Sequence, residues 1–183
     1  GVVKGSANVL GREVFARLDE CVEFEDTARP RIVKNVQKWR KVMDSVWKGI
    51  LGKDVSLVPQ DATTALSPFH TVGKLLETAA SRRLPQASKE ELRADSLKWL
   101  NRVERYDVES IYGRYVHELS GGMAQRVAIA LALASGPKLV IADEPTTGLD
   151  ATLRIQLIAL MATMVKDHGV TLRLVTHDNA AAR

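Results

Sequence analysis

The last third of the chain constrains the fold most. Leu139–Ala142 is an unbroken apolar run, as expected for a strand buried on both faces, and it leads directly into Asp143-Glu144. A stretch with helical periodicity follows from about Ala151 to Lys166, with Leu153, Leu157, Leu160 and Met164 on one face and Gly169 as its stop. Val170 to Val175 reads as the next strand. Strand, helix, strand in this order predicts a βαβ unit with parallel strands. Ligands of open α/β sheets gather at the carboxyl ends of the strands. Asp143 and Glu144 are therefore expected on one rim with the Thr176-His177-Asp178 that follows the second strand.

Upstream, Ser120 is placed to cap a helix running to about Ala134, with Met123, Val127 and Leu131 in one stripe and Gly136-Pro137 as its end. Two further helices are expected at roughly 70–83 and 89–105, the second opened by a capping box of Ser88 and Glu91. Asp54 to Val58 reads as a short strand closed by Pro59. Residues 1–18 suggest an extended piece with a turn around Gly11, and residues 19–30 are acidic up to Pro30. From Arg31 to Ile50 the apolar Ile32, Val36, Trp39, Met43, Val46 and Ile50 recur at helical spacing opposite Lys34, Lys38, Arg40, Lys41 and Lys48. Such a basic amphipathic helix suits either packing on its own domain or contact with a partner or membrane surface.

Composition narrows the class. At 183 residues the chain is long enough for a domain with its own core, and a net charge of +4 is too mild to be a nucleic-acid signature. Cys21 is the only cysteine, so no internal disulfide can form. No stretch reaches the ~18 apolar residues of a membrane span. The chain begins at Gly1 without Met and stops soon after a strand, and both ends read as cut.

The chemistry concentrates at the expected rim. An Asp directly after a buried strand is well placed for Mg²⁺, which keeps most of its waters and takes few protein ligands. The adjacent Glu can polarise a water, and the histidine can meet a terminal phosphate or orient that water. Asp143-Glu144 taken alone would equally suit a capping pair in a loop. Leu119-Ser120-Gly121-Gly122 adds a second feature: two glycines at a helix start let a phosphate approach backbone N–H groups.

Together these residues resemble the ATP-binding-cassette family of ATPases. Leu119–Gly122 resembles its signature motif, Leu139–Glu144 its Walker B strand, Thr147-Gly148-Leu149-Asp150 its D-loop and His177 its switch histidine. Val55-Ser56-Leu57-Val58-Pro59-Gln60-Asp61 resembles its Q-loop. Ala65-Leu66-Ser67-Pro68, Thr71-Val72-Gly73, Gly122-Met123 and Ala142–Thr147 are similar to the dipeptide and oligopeptide importer branch, although Ala124 stands where that branch often has arginine.

The resemblance implies an α/β fold, part of a P-loop NTPase domain with a parallel-sheet core and a helical subdomain. It implies a division into residues 1–60, the first part of the ATPase core with an insertion at about 19–48; residues 61–118, the helical subdomain; and residues 119–183, the rest of the core. It implies ATP and Mg²⁺, with Glu144, His177 and Gln60 catalytic and Asp143 and Gln60 at the metal. Ser120, Gly121, Gly122, Gln125 and Asp150 would bind nucleotide. It implies a head-to-tail dimer with a second such ATPase, membrane permease subunits, no nucleic acid, and a place on the cytoplasmic face of the cell membrane. The solutes would be peptides, nickel or related compounds.

One element of the family pattern has no counterpart here. No G-x-x-x-x-G-K-[ST] occurs; in Gly49-Ile50-Leu51-Gly52-Lys53-Asp54 the spacing is too short and Asp54 replaces the hydroxyl residue. Two other expectations follow. The chain alone would not hydrolyse ATP, and the Leu139–Ala142 strand would show an unpaired apolar edge where a central strand is missing. Two alternatives stay open: a module lending a signature motif to a partner's site, and a family ATPase outside transport. Only some 60 residues separate the Q-loop from the signature motif, with no heptads, which is too short for the coiled coil expected of the second.

Overall fold

The computed structural model describes residues 8–9, 12–13, 22–25, 31–104 and 107–176. The chain divides into two compact units, one through residue 51 and one from residue 52.

In the first unit β1 (Asn8–Val9) pairs antiparallel with β2 (Arg12–Glu13), and β3 (Val22–Glu25) with β4 (Arg31–Lys34). Helix α1 (Val36–Trp47) follows, capped by Asn35, whose side chain accepts from the Lys38 N–H at 3.0 Å. The single helix expected from Arg31 to Ile50 is therefore corrected. Ile32 and Val33 lie in the hairpin opposite Phe24 and Glu23, where β-branched side chains suit the pleat. The helix starts only where Asn35 supplies a cap. The turn expected at Gly11 lies outside the described residues.

The second unit holds a three-stranded parallel sheet in the order β5 (Val55–Val58), β6 (Leu139–Asp143), β7 (Thr171–Val175). Val58 pairs with Ala142, and Asp143 with Val175. The unpaired edge expected for Leu139–Ala142 is thus corrected: β6 is the central strand, with β5 on one side and β7 on the other. The burial expected on both faces of this run is corrected as well: Val140 and Ala142 on one face are buried, whereas Leu139 and Ile141 on the other are only partly covered. The outer strands carry the exposed apolar side chains instead, Leu57 and Val175.

Helices α2 (Ala62–Ala65), α3 (Val72–Arg83), α4 (Lys89–Val103), α5 (Val108–Gly113), α6 (Gly121–Ala134) and α7 (Ala151–His168) complete this unit. The α4 capping box is present in both directions, Glu91 N–H to Ser88 Oγ at 3.2 Å and Ser88 N–H to Glu91 Oε2 at 2.7 Å. Helix α6 is buried almost all round, and its alanines Ala124, Ala128, Ala130 and Ala134 permit close approach on several sides. Leu76, Leu100 and Val103 from α3 and α4 join the same core. Arg83 fastens α3 to two neighbours, donating to the Ala134 carbonyl at 3.1 Å and pairing with Asp95 at 2.6 Å. Gly73 lies against the Tyr112 ring, which occupies the space a Cβ would need. Among the described residues no helix is long and apolar enough to cross a membrane.

Glu104 caps the end of α4 and is 6% exposed. Its Oε1 has no hydrogen-bond partner among the described residues. Burial pushes its carboxyl up to about 6, against the pull of the nearby Arg126. Between the ordinary 4.5 and about 6 the folded chain holds a proton that the unfolded chain has lost. Stability therefore falls as pH rises through that window, by roughly 1–2 kcal/mol in all. Glu104→Gln removes the ionisation. Thermal melts should show the variant gaining on the parent at pH 7.5, with the gain vanishing near pH 4.5; parallel pH curves for the two proteins would refute this.

Candidate functional site

Three strand ends build the rim. β6 ends at Asp143, whose side chain is exposed, directly beside Val175 at the end of β7. The next residue, Glu144, has a φ of +42°, uncommon for a residue with a Cβ. Two backbone hydrogen bonds hold it there. Its N–H donates to the Val175 carbonyl at 2.8 Å, and its own carbonyl accepts from the Thr147 N–H at 3.1 Å. The backbone thus leaves the sheet in a tight turn through the buried Pro145 and Thr146 to Gly148, at φ +76°. Asp150 then caps α7 by accepting from the Leu153 N–H at 2.9 Å.

The Glu144 carboxylate is the meeting point of the site. Its Oε2 accepts from Gln60 Nε2 at 3.2 Å and from the Thr147 hydroxyl at 3.1 Å. Gln60 lies 84 positions away in sequence and arrives because β5 pairs with β6. These two donors fix which way the carboxylate faces. Beside Gln60, Asp61 caps α2. Hydrogen bonds from the Thr63 hydroxyl at 2.6 Å and the Thr63 N–H at 2.9 Å hold its carboxyl below the usual range.

A hard cation at this rim would find the exposed Asp143 carboxylate and the Gln60 amide oxygen, few enough protein ligands to suit Mg²⁺. No group of three or more His, Cys, Asp or Glu side chains among the described residues could hold a metal. His177 lies outside the described residues, two positions beyond Val175.

The start of α6 forms the second part. Ser120 caps the helix, its hydroxyl accepting from the Met123 N–H at 3.3 Å. Gly121 is exposed, with no heavy atom within 4 Å of where a Cβ would stand. The exposed glycine leaves room at the helix start, where N–H groups without a partner in the helix can receive an anion. Gln125 differs from these residues: it is buried, and its Nε2 donates to the Pro59 carbonyl at 2.8 Å.

Of the residues expected in the site, the fold brings Gln60, Asp143 and Glu144 together, with Asp150 a short turn away. The hydroxyl role of Thr147 and the positive φ of Glu144 were missed in the sequence: the first is a bond across only three residues in the turn, and the second depends in part on the distant Val175 carbonyl.

Residues 27–147 match the profile of a family described as ABC transporter. The chain is similar to the glutathione import ATP-binding protein GsiA of Escherichia coli (strain K12), 41% identical over 130 residues that make up 70% of this chain and 20% of that protein. The GsiA of Salmonella choleraesuis (strain SC-B67) is 40% identical over 136 residues, 74% of this chain and 22% of that protein. The matched segment spans about a fifth of the length of these curated relatives. Among solved structures, the ATP-binding cassette MJ0796, described as a dimer in a post-hydrolysis state bound to ADP and Pi, superposes with a TM-score of 0.62 at 27% identity, over 86% of this chain and 67% of that one. CbiO1 from Clostridium perfringens, part of the ABC transporter complex cbiONQ, gives 0.60 at 28% identity, over 84% of this chain and 58% of that one.

Removing the α6 cap tests the geometry of the helix start. Ser120→Ala should lower the free energy of unfolding by about 1 kcal/mol, and Ser120→Asp should restore most of it. Urea denaturation measures both, and equal stability of all three proteins would show that the cap contributes nothing.

Proposed function

Because the chain belongs to the ABC transporter family, we propose that it forms part of the ATP-binding and ATP-hydrolysing subunit of an importer for peptides or related solutes. The observation that carries this is the Glu144 carboxylate, held by Gln60 and Thr147 at the end of β6 beside Asp143. Glu144 is the general base. It takes a proton from the attacking water as that water meets the γ-phosphate of ATP, while Gln60 and Thr147 keep the carboxylate aimed. Asp143 and the Gln60 amide oxygen would hold Mg²⁺, which would supply neutralisation of charge on the phosphate oxygens. His177, two positions past the end of β7, steadies the γ-phosphate.

Ser120, Gly121 and Gly122 close over the nucleotide of a second ATPase subunit packed head to tail, and Asp150 lines the same interface. The exposed start of α6 supports this. Residues 61–118 and the Gln60 loop pass closure to a membrane permease on the cytoplasmic face, and Phe69, 85% exposed, offers that contact an apolar side chain. Residues 1–60 supply the first part of the core with its insertion, and residues 119–183 the rest. The glutathione-import relatives favour a small peptide-like solute.

Two measurements test the reading. In the assembled importer, Glu144→Gln should lower kcat by at least about 100-fold with little change in the KM for ATP. Undiminished turnover would remove Glu144 from the base role. The 183 residues contain no G-x-x-x-x-G-K-[ST] to cradle the phosphates, so the chain alone should show no turnover. ATP hydrolysis by the purified chain that vanishes in Glu144→Gln would overturn that second expectation.

A further inference from the structure

Gln125 lies in the second turn of α6, only 4% exposed, and its Nε2 donates to the Pro59 carbonyl at 2.8 Å. That carbonyl belongs to the peptide joining Pro59 to Gln60. The peptide is planar, so holding its oxygen also fixes the N–H of Gln60 and the direction in which the chain continues. The ring of Pro59 restricts its own φ, which leaves ψ as the soft torsion just upstream of this peptide. The hydrogen bond from Gln125 fixes that torsion. Gln60 is exposed, so packing does little to orient it, yet its Nε2 reaches Glu144 Oε2 at 3.2 Å.

We infer that Gln125 is a positioning residue that sets the Pro59–Gln60 peptide so that Gln60 meets Glu144. The inference rests on the reading of Glu144 as general base. It gives Gln125 a task inside its own subunit in place of the nucleotide contact expected from the resemblance. It also joins the two halves of the site mechanically. Ser120 and Gln125 lie on one stiff helix, little more than a turn apart. A displacement of the helix start at Ser120–Gly122 is carried to Gln60 through the hydrogen bond from Gln125 to the Pro59 carbonyl.

Gln125→Met keeps most of the side-chain volume and removes the donor. In the chain alone, hydrogen exchange read by mass spectrometry should speed up by about tenfold in the segment spanning 59–64, as expected for one lost hydrogen bond. Exchange in α7 should stay unchanged. In the assembled importer, kcat should fall by about tenfold with KM for ATP within about twofold, and Gln125→Met should add nothing in a Gln60→Ala background. Unchanged exchange at 59–64, or losses that multiply in the double variant, would overturn the inference. So would a raised KM at constant kcat, which would return Gln125 to the nucleotide. Glu144→Gln in the same importer separates the two ideas. If it leaves turnover intact, the base reading fails, while the exchange result still decides whether Gln125 holds the loop.

Discussion

Strand β6 is hydrogen-bonded along both sides, and the site exists because of it. Pairing with β5 brings the Pro59–Gln60 loop to the end of the strand. Pairing with β7 places Val175 beside Asp143, where its carbonyl takes the N–H of Glu144. A parallel sheet cannot make these neighbours locally, because each parallel strand must return by a crossover. The helices are the crossovers, and α6 is buried among them, so the packing that stabilises the core also sets the register of the rim.

The turn after β6 stores a small amount of strain. A φ of +42° costs a residue with a Cβ about 1–2 kcal/mol. The hydrogen bonds to Val175 and Thr147 offset it, and the result is a carboxylate turned toward Gln60 rather than along the strand. Strain confined to a residue with a chemical role, and held by contacts on either side, is the pattern expected of a functional site.

Much of this was legible in the chain. Ser88 with Glu91, Ser120 before two glycines, and Gly169 after a periodic stretch are local signals, and each marks a helix end in the structure. The apolar run at Leu139–Ala142 marks a strand, but only its Val140–Ala142 face is buried, while Leu139 and Ile141 on the other face stay partly exposed. Misreadings arose where a distant partner decides. Ile32 fits a helical stripe, but it pairs with Phe24 in a hairpin. The edge of β6 is expected to be open where the family's central strand is missing, yet β5, some eighty residues earlier, pairs along it, and pairing across that distance leaves no periodic trace.

The amino-acid sequence by itself determined the family, the caps, the order strand–helix–strand and the identity of the acids at the strand end. These depend on residue type and short spacing, which persist without any fold. Tertiary structure alone decided that Gln60 and Thr147 share one oxygen of Glu144, that Glu144 sits at positive φ, and that Gln125 is buried against Pro59 rather than turned to a ligand. The bonds from Gln60 and Gln125 join segments far apart in the chain, and the angle at Glu144 is held in part by the distant Val175; only packing brings such groups within hydrogen-bonding distance.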